Sequence, residues 1–244
     1  MYRLPLLIAL VCGQSQALYG GKEIEIETAA YQVSIHERSH LACGGSILNK
    51  DYVLTVASCV DAFVENFKVR AGSKDPNANG SVHEIVQLYR QHDNEPGNDL
   101  LLLRVKPSFE LDSTRRAIKL VSADYRLKAN ESLRVTGYGY TDGYVPSSKL
   151  RSIDTRSTLL EDCVKRYADR LQDIFPGMMC TDGSDFQSSS CSYDSGNPVT
   201  LGDGRLVAVT SSRHSCGNEA QPDVHVLVAR AIKWIAIFTS ASSL

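Results

Sequence analysis

The cysteines restrict the folds open to this chain more than any other residue type. Seven are present, and six of them lie beyond residue 17: Cys43, Cys59, Cys163, Cys180, Cys191 and Cys216. An even number of cysteines in an exported chain favours three disulfide bonds, although the six allow about 15 pairings and their order does not choose among them. No Cys-x-x-Cys or Cys/His pair has zinc-finger spacing, so we predict no metal site.

The first 17 residues have the pattern of a secretory signal peptide. Arg3 supplies a positive charge, residues 4–11 are apolar, and the small residues Ser15 and Ala17 precede the expected cleavage point. A buried N-terminal helix is the alternative, and the early proline fits it poorly. The apolar run is too short to span a bilayer. We therefore expect cleavage after Ala17 and a secreted chain that starts at Leu18 and does not associate with a membrane.

The charge balance excludes one class of partner. The chain has 26 lysines and arginines against 28 aspartates and glutamates, for a formal net charge of -2. No basic run interleaved with aromatic residues marks a nucleic-acid surface, so no nucleic-acid partner is predicted. Residues 18–244 suffice for one large all-β domain or a pair of barrels.

Short apolar segments bounded by Gly, Pro, Asn and Asp predict an all-β fold. The predicted strands are Gln32–His36, Gly45–Leu48, Tyr52–Ala57, Phe67–Ala71, Asp99–Val105, Ser132–Gly137, Arg205–Thr210 and Val224–Val228. Strands at this density favour paired β-barrels or a sandwich. Near-helical apolar spacing predicts a short helix over Leu160–Gln172 and a C-terminal helix over Ala229–Ser240 that packs on the body.

Two sequons point to modification of surface turns. They are Asn79-Gly80-Ser81 and Asn130-Glu131-Ser132. In an exported chain both are candidate glycan acceptors. A chance match without a glycan remains an equally open alternative at each.

The segment from Cys191 to Pro198 has the sequence of a sharp turn that presents a nucleophilic serine. It reads Cys-Ser-Tyr-Asp-Ser-Gly-Asn-Pro, with Ser195 as the candidate nucleophile. A serine hydroxyl is a poor nucleophile until a neighbouring base takes its proton.

Seen together, several segments resemble the chymotrypsin (trypsin-like) serine protease family from Leu18 to the C-terminal helix. They occur in family order as Leu18–Gly21, Cys43–Leu48, Asn98–Arg104, Val135–Gly139, Asp194–Gly196 and the helix around Trp234. The resemblance implies one peptidase domain over residues 18–244, built from two antiparallel six-stranded β-barrels and a C-terminal helix. It implies that the barrels join near residues 107–120, with the active-site cleft between them.

The resemblance also places the catalytic triad, and one of its members is changed. Ser195 matches the nucleophile, and Asp99 matches the aspartate that orients the histidine base. The family's histidine stands in a stretch resembling Leu-Thr-Ala-Ala-His-Cys, whereas Leu54–Cys59 here reads Leu-Thr-Val-Ala-Ser-Cys. Ser58 thus replaces the base, and a serine hydroxyl cannot act as a general base near neutral pH. We expect Asp99 to accept a hydrogen bond from Ser58 or to be hydrated.

Further departures surround the implied substrate site. The oxyanion hole would use the backbone N–H groups of Ser195 and of Tyr193, which stands where the family has glycine. Ser189 occupies the base of the implied specificity pocket, and Ser211, Ser212 and Arg213 stand where the family has Ser-Trp-Gly, so the tryptophan and the glycine are replaced.

Two more residues of that pocket, Asp223 and His225, are two apart in a predicted strand. Residues at this spacing share a face of the strand, so both are expected to point into the pocket and to pair there. A pocket tuned for a basic side chain and a pocket filled by its own side chains both stay open.

The resemblance implies disulfides Cys43–Cys59, Cys163–Cys180 and Cys191–Cys216. It also implies an ion pair between a free Leu18 amine and Asp194, the residue before the nucleophile. The residue directly before Leu18 is Ala17, not a lysine or arginine that would invite an activating protease.

Two functions are open from these residues. The first is a secreted, non-catalytic serine protease homologue of the kind frequent in insects, a monomer without a cofactor that binds a protein or protease of an extracellular cascade. The alternative is an active serine endopeptidase that uses Ser195 with a displaced base, either His92 or His40. No sequence motif supports a sugar or lipid carrier.

Overall fold

The computed structural model describes residue 18 and residues 21–91, 97–141, 145–168, 173–183, 194–212 and 222–240. Within them the predicted all-β architecture is confirmed, because the strands close into two antiparallel six-stranded barrels. Among the described helices, none is long and apolar enough to cross a membrane.

A two-residue strand, β1 (Lys22–Glu23), precedes the first barrel and pairs with a strand of the second. The first barrel is built from β2 (Gln32–Glu37), β3 (His40–Ile47), β4 (Tyr52–Val56), β5 (Phe67–Ala71), β6 (Ser81–Arg90) and β7 (Leu100–Lys106). Its strand order is β2-β3-β4-β7-β6-β5, and the pairing of β5 with β2 closes it.

The second barrel follows a connection over residues 107–131 that contains the predicted junction. Its elements are β8 (Ser132–Gly137), β9 (Tyr140–Thr141), β10 (Val145–Pro146), β11 (Arg151–Thr158), α1 (Leu160–Tyr167), β12 (Met178–Gly183), β13 (Pro198–Leu201), β14 (Leu206–Ser212) and β15 (Asp223–Leu227). The barrel order is β8-β11-β12-β15-β14-β13, and β13 pairs with β8 to close it. The β9–β10 hairpin stands apart as a two-stranded sheet.

The core of the first barrel continues into the second. Leu100 to Leu103 of β7 are all buried, so neither face of this strand meets solvent. A strand covered on both faces has a continuous apolar sequence rather than an alternating one. The same apolar cluster includes Leu206, Val209 and Val226 of the second barrel, so the two barrels share buried surface.

The C-terminal helix, α2 (Ile232–Thr239), follows a 3₁₀ helix over Val228–Ala231 and packs on the first barrel. The rings of Phe238 and Tyr89 lie 4.1 Å apart between centroids. Trp234 meets Phe238 edge to face at 5.9 Å. The C-terminal helix thereby packs on the first barrel, as the prediction of a helix packed on the body stated.

Two of the three expected disulfides are present. Cys43 of β3 is bonded to Cys59, and Cys163 of α1 is bonded to Cys180 of β12. A disulfide stabilises a fold by about 2–4 kcal/mol, mainly by restricting the unfolded chain. The third expected pair, Cys191–Cys216, lies outside the described residues.

The two sequon asparagines lie at exposed turns. Asn79 and Asn130 both have left-handed backbone, with φ of 59° and 57°. Asparagine tolerates this conformation better than most residues with a side chain. Glycan occupancy at these positions remains a prediction.

The doubly covered strand generates a prediction about stability. We expect Leu102→Ala to lower the free energy of unfolding by about 2–5 kcal/mol, because it removes buried methyl groups and leaves a cavity. The matched control is Leu111→Ala, since Leu111 is 49% exposed, and a change within about 0.5 kcal/mol is expected there. Urea denaturation without reductant measures both. Equal effects in the two variants would contradict the burial of β7.

Candidate active site

The nucleophile turn is fixed by backbone hydrogen bonds to both barrels. The carbonyl of Ser195 accepts the Gly44 N–H at 2.8 Å, and the Gly196 N–H donates to the Thr210 carbonyl at 2.7 Å. Gly196 has a φ of +82°, and a Cβ there would lie 2.2 Å from the Gly44 carbonyl and from Thr55 Oγ1. Only glycine fits, both for conformation and for space. The turn therefore depends on the two barrels meeting at this point.

The aspartate and the serine of the expected triad are linked through Ser211. The Ser211 hydroxyl donates to Asp99 Oδ2 at 2.9 Å, and the Ser195 hydroxyl donates to the Ser211 carbonyl at 3.2 Å. Ser195 is only 5% exposed. Ser211, predicted as part of the specificity pocket, thus also holds the aspartate.

Ser58 lies on the same side of the site without bonding to that aspartate. It is the middle residue of a 3₁₀ helix over Ala57–Cys59, and its side chain is exposed. The Ala57 N–H donates to the Asp99 carbonyl at 2.8 Å. Among the described residues, the side-chain hydroxyl that bonds to Asp99 is that of Ser211. The expected hydrogen bond from Ser58 to Asp99 is therefore wrong.

Arg90 fixes the backbone that carries Ser58, a role that sequence analysis missed. Its guanidinium donates from Nη1 to the Ala57 carbonyl at 2.9 Å and from Nη2 to the Val60 carbonyl at 2.7 Å. Arginine's fork of donors suits two acceptors at fixed positions. An arginine at the end of a strand gives no signal of this role in the sequence.

Burial raises the pKa of the Asp99 carboxyl above its ordinary value. The hydrogen bond from Ser211, the nearby Ala57 N–H and the positive charge of Arg90 oppose that rise, in decreasing order, without cancelling it. The groups that favour the carboxylate thus belong to residues other than Ser58.

A buried chain of polar groups lies directly behind the nucleophile turn. Asp194 is fully buried, and its Oδ1 accepts from Asn197 Nδ2 at 2.7 Å and from the Gly139 N–H at 3.2 Å. Gln32 Nε2 donates to Asn197 Oδ1 at 3.0 Å, and Thr136 Oγ1 donates to Gln32 Oε1 at 2.8 Å. Because Gln32 belongs to the first barrel, this chain of hydrogen bonds crosses between the barrels.

Two glycines make room for the Asn197 side chain. A Cβ on Gly44 would lie 1.8 Å from Asn197 Oδ1, and one on Gly137 would lie 1.8 Å from Asn197 Nδ2. The amide therefore fits in a slot that any larger residue at either glycine would close. Sequence analysis gave Asn197 no structural role, so this contact was missed.

The N-terminal ion pair remains a prediction. Leu18 is fully buried in the core of the second barrel, in one cluster with Val135 and Val199. Its backbone has a φ of 43°, which is strained for a residue with a side chain. Asp194 is held here by Asn197 and Gly139, and residue 17 precedes Leu18 in this chain.

His225 does not pair with Asp223, contrary to expectation. Both ring nitrogens face threonine hydroxyls, with Nε2 at 2.8 Å from Thr181 Oγ1 and Nδ1 at 3.1 Å from Thr210 Oγ1. The ring is fully buried, and burial lowers the pKa of His225 to about 3. The neutral imidazole of His225 on β15 therefore lies inside the barrel, between Thr181 of β12 and Thr210 of β14.

The remaining predicted pocket and oxyanion residues cannot be placed. Tyr193, Ser189 and Arg213 lie outside the described residues, as does His92. Asp223 is described and is 9% exposed. Among the described residues, no group of three or more His, Cys, Asp or Glu side chains could hold a metal ion.

The buried amide generates a prediction about stability. Asn197→Asp keeps the shape of the side chain but replaces the donor facing Asp194 with a second carboxylate. We expect the free energy of unfolding to fall by about 3–5 kcal/mol near neutral pH, as for an uncompensated buried charge. The control is Asn77→Asp at an exposed turn, where a change within about 0.5 kcal/mol is expected. Urea denaturation measures both, and a mild effect at 197 would contradict the bonded slot.

The neutral imidazole predicts a pH dependence. The pKa of His225 is about 3 when folded, against 6.5 for the unperturbed group. Below pH 6.5 the unfolded chain takes up this proton while the folded chain does not, so stability is lost as the pH falls from 6.5 toward 3. We expect His225→Gln to lessen that acid-side slope, by at most about 1.4 kcal/mol per pH unit. The exposed His40→Gln is the control, and identical slopes in all three proteins would refute the assignment.

Comparison with known proteins identifies the family. The family model named Trypsin matches residues 18–235. Trypsin epsilon of Drosophila erecta is 30% identical over 228 residues, covering 89% of this chain and 86% of the relative. Trypsin alpha-4 of Lucilia cuprina is 31% identical over 235 residues, covering 93% and 88%. Neuropsin, a serine protease expressed in mouse brain, superposes with a TM-score of 0.78 at 22% identity, covering 90% of this chain and 98% of that one. The chain therefore belongs to the trypsin family and has its two-barrel fold.

Proposed function

We propose that this protein is an exported, non-catalytic member of the trypsin family that acts by binding another protein. The observation that carries the proposal is Ser58. It occupies the position of the general base, on a backbone that Arg90 and Asp99 hold in place. By the family resemblance the proton would be taken by a histidine at position 58, and the serine hydroxyl there is not a general base near neutral pH.

The bonds around Ser195 support this assignment. Its hydroxyl donates to the backbone carbonyl of Ser211, and a carbonyl oxygen does not accept the proton in the way an imidazole does. Asp99, which in the family orients the histidine, accepts a hydrogen bond from the Ser211 hydroxyl and has no imidazole at position 58 to orient.

Three of the four described histidines have side-chain hydrogen-bond partners away from Ser195. His36 bonds to Ser34, His83 to Ser81 and to the Pro107 carbonyl, and His225 to two threonines. His40 lies at the start of β3, paired in register with Glu37 at the hairpin end. His92 and His214 lie outside the described residues, so His92 and His40 both remain candidate bases for the alternative function.

The expected loss of catalytic rate is large enough to favour a binding role over slow catalysis. In another serine protease, removing the triad histidine alone lowers kcat by about 10⁶. The residual rate of such a variant depends on the oxyanion hole, in which each donor stabilises the transition state by about 2.7–4 kcal/mol. Tyr193 stands at one of those donors here, in place of a glycine.

Export and the nature of the partner belong to the same proposal. The signal-like first 17 residues and the two disulfides both suit an oxidising compartment. The partner proposed is a protein or protease of an extracellular cascade, bound by a monomer. The relatives are named trypsins, which makes active proteolysis with a displaced base the competing outcome.

Reaction with a fluorophosphonate probe tests the proposal. We expect the protein to label no faster than its Ser195→Ala variant, because a serine without a base does not attack phosphorus at a useful rate. The probe reports the activated serine directly and needs no knowledge of the substrate. Labelling that disappears in Ser195→Ala would overturn the proposal, and its loss in His92→Gln would then identify the base.

Restoring the histidine shows how far the site has diverged. We expect Ser58→His to raise labelling only to a trace, because Tyr193 and Arg213 also depart from the family. The comparison is the same change combined with Tyr193→Gly and Arg213→Gly. Full labelling from the single substitution would mean that residue 58 is the only defect.

A further inference from the structure

A cavity of about 540 Å³ opens on the second barrel, outside the residues of the candidate active site. Its apolar lining includes the buried or half-buried side chains of Met178, Met179, Leu227 and Leu127, which we call the floor, and the exposed Leu159 and Leu160, which we call the mouth. This volume lies within the range of small-molecule sites, which are mostly apolar with a few polar groups. The lining comes from segments far apart in sequence, so no local motif marks it.

The charges at the cavity have one sign. The charged side chains that line it are Arg126, Lys128 and Arg230, and no lining residue is acidic. Glu131 lies nearby, but its carboxylate accepts from the Tyr125 hydroxyl at 2.7 Å and from the Lys128 backbone N–H at 3.2 Å. Within the described residues, no hydrogen bond or ion pair engages the Lys128 ammonium.

The apolar side chains at the mouth are unusually exposed. Leu159 is 46% exposed and Leu160 is 37% exposed. Val164, one turn further along α1, is 44% exposed. Neighbouring exposed apolar side chains that border a cavity mark a binding surface rather than ordinary surface composition.

We propose that this cavity binds a single-chain aliphatic carboxylate, such as a fatty-acid anion. The alkyl chain would lie against the methionine and leucine side chains, where thioethers adapt to a flexible ligand. The carboxylate would meet Lys128 and Arg126 at the exposed rim. An apolar cavity with a basic rim matches an anion with an apolar tail, and it disfavours a cation of the same length.

The chain carries its own reporters for this site. Of its three methionines, Met178 and Met179 both line the cavity. Labelling the methionine methyl groups with ¹³C therefore puts NMR signals at the floor, and Met1 does not confuse them once the leader is removed. Titration with decanoate below its micelle concentration should shift these signals. The dissociation constant should fall about fourfold for each methylene added from octanoate to decanoate.

Charge and position are tested separately. Lys128→Gln and Arg126→Gln should each weaken decanoate binding about two- to fivefold, as for exposed ion pairs. Leu159→Glu puts a carboxylate at the mouth and should weaken it by at least about tenfold. Leu111→Glu, at an equally exposed leucine elsewhere, should leave the dissociation constant unchanged.

Three results would overturn the proposal. One is the absence of any methionine shift with decanoate up to its solubility limit. Another is equal or tighter binding of decyltrimethylammonium, which has the same chain and the opposite charge. The third is an unchanged dissociation constant in Leu159→Glu, with circular dichroism confirming that the variant is folded.

Discussion

The amide of Asn197 is the interaction on which the active-site region depends. It fits between two glycines, bonds to the fully buried Asp194, and accepts from Gln32 of the other barrel. A buried carboxylate is tolerated only when hydrogen bonds replace its lost water. The same side chain thus compensates a charge, joins two barrels and positions the turn that presents Ser195. A substitution that displaces the Asn197 side chain would therefore affect all three of these roles at once.

Much of the fold could be predicted because its strands carry apolar signals. The run Leu100–Leu103 marks a strand covered on both faces, and the cysteine pairs Cys43–Cys59 and Cys163–Cys180 follow the family pattern. Strand β11 was harder, since three of its four inward positions, Arg151, Thr155 and Ser157, are polar. All three bond to backbone carbonyls, Arg151 to that of Gly21, Thr155 to that of Asp182 and Ser157 to that of Lys128. Polar residues that are buried and bonded break the apolar alternation on which strand prediction relies.

The motifs singled out residues of the candidate site, but they did not predict the hydrogen-bond partners of those residues. Asp99 and Ser195, which the motifs singled out, both bond to Ser211, a residue that the motifs gave no such role. The pairing expected for His225 failed because strand neighbours, Thr181 and Thr210, reach its nitrogens first. Residue spacing gives the face of a strand, whereas the partner on that face is set by the register of adjacent strands. That register is a property of the whole barrel.

Arg90 has a consequence for how this protein can change. Its guanidinium binds the carbonyls on both sides of the 3₁₀ helix, so the backbone at residue 58 is held by groups other than its own side chain. That side chain is exposed and contributes little to packing. Chemistry at position 58 is therefore uncoupled from the stability of the fold. A lineage could lose or regain a base there without a folding penalty, and an engineer could install a thiol, an amine or a metal ligand on a ready-made support.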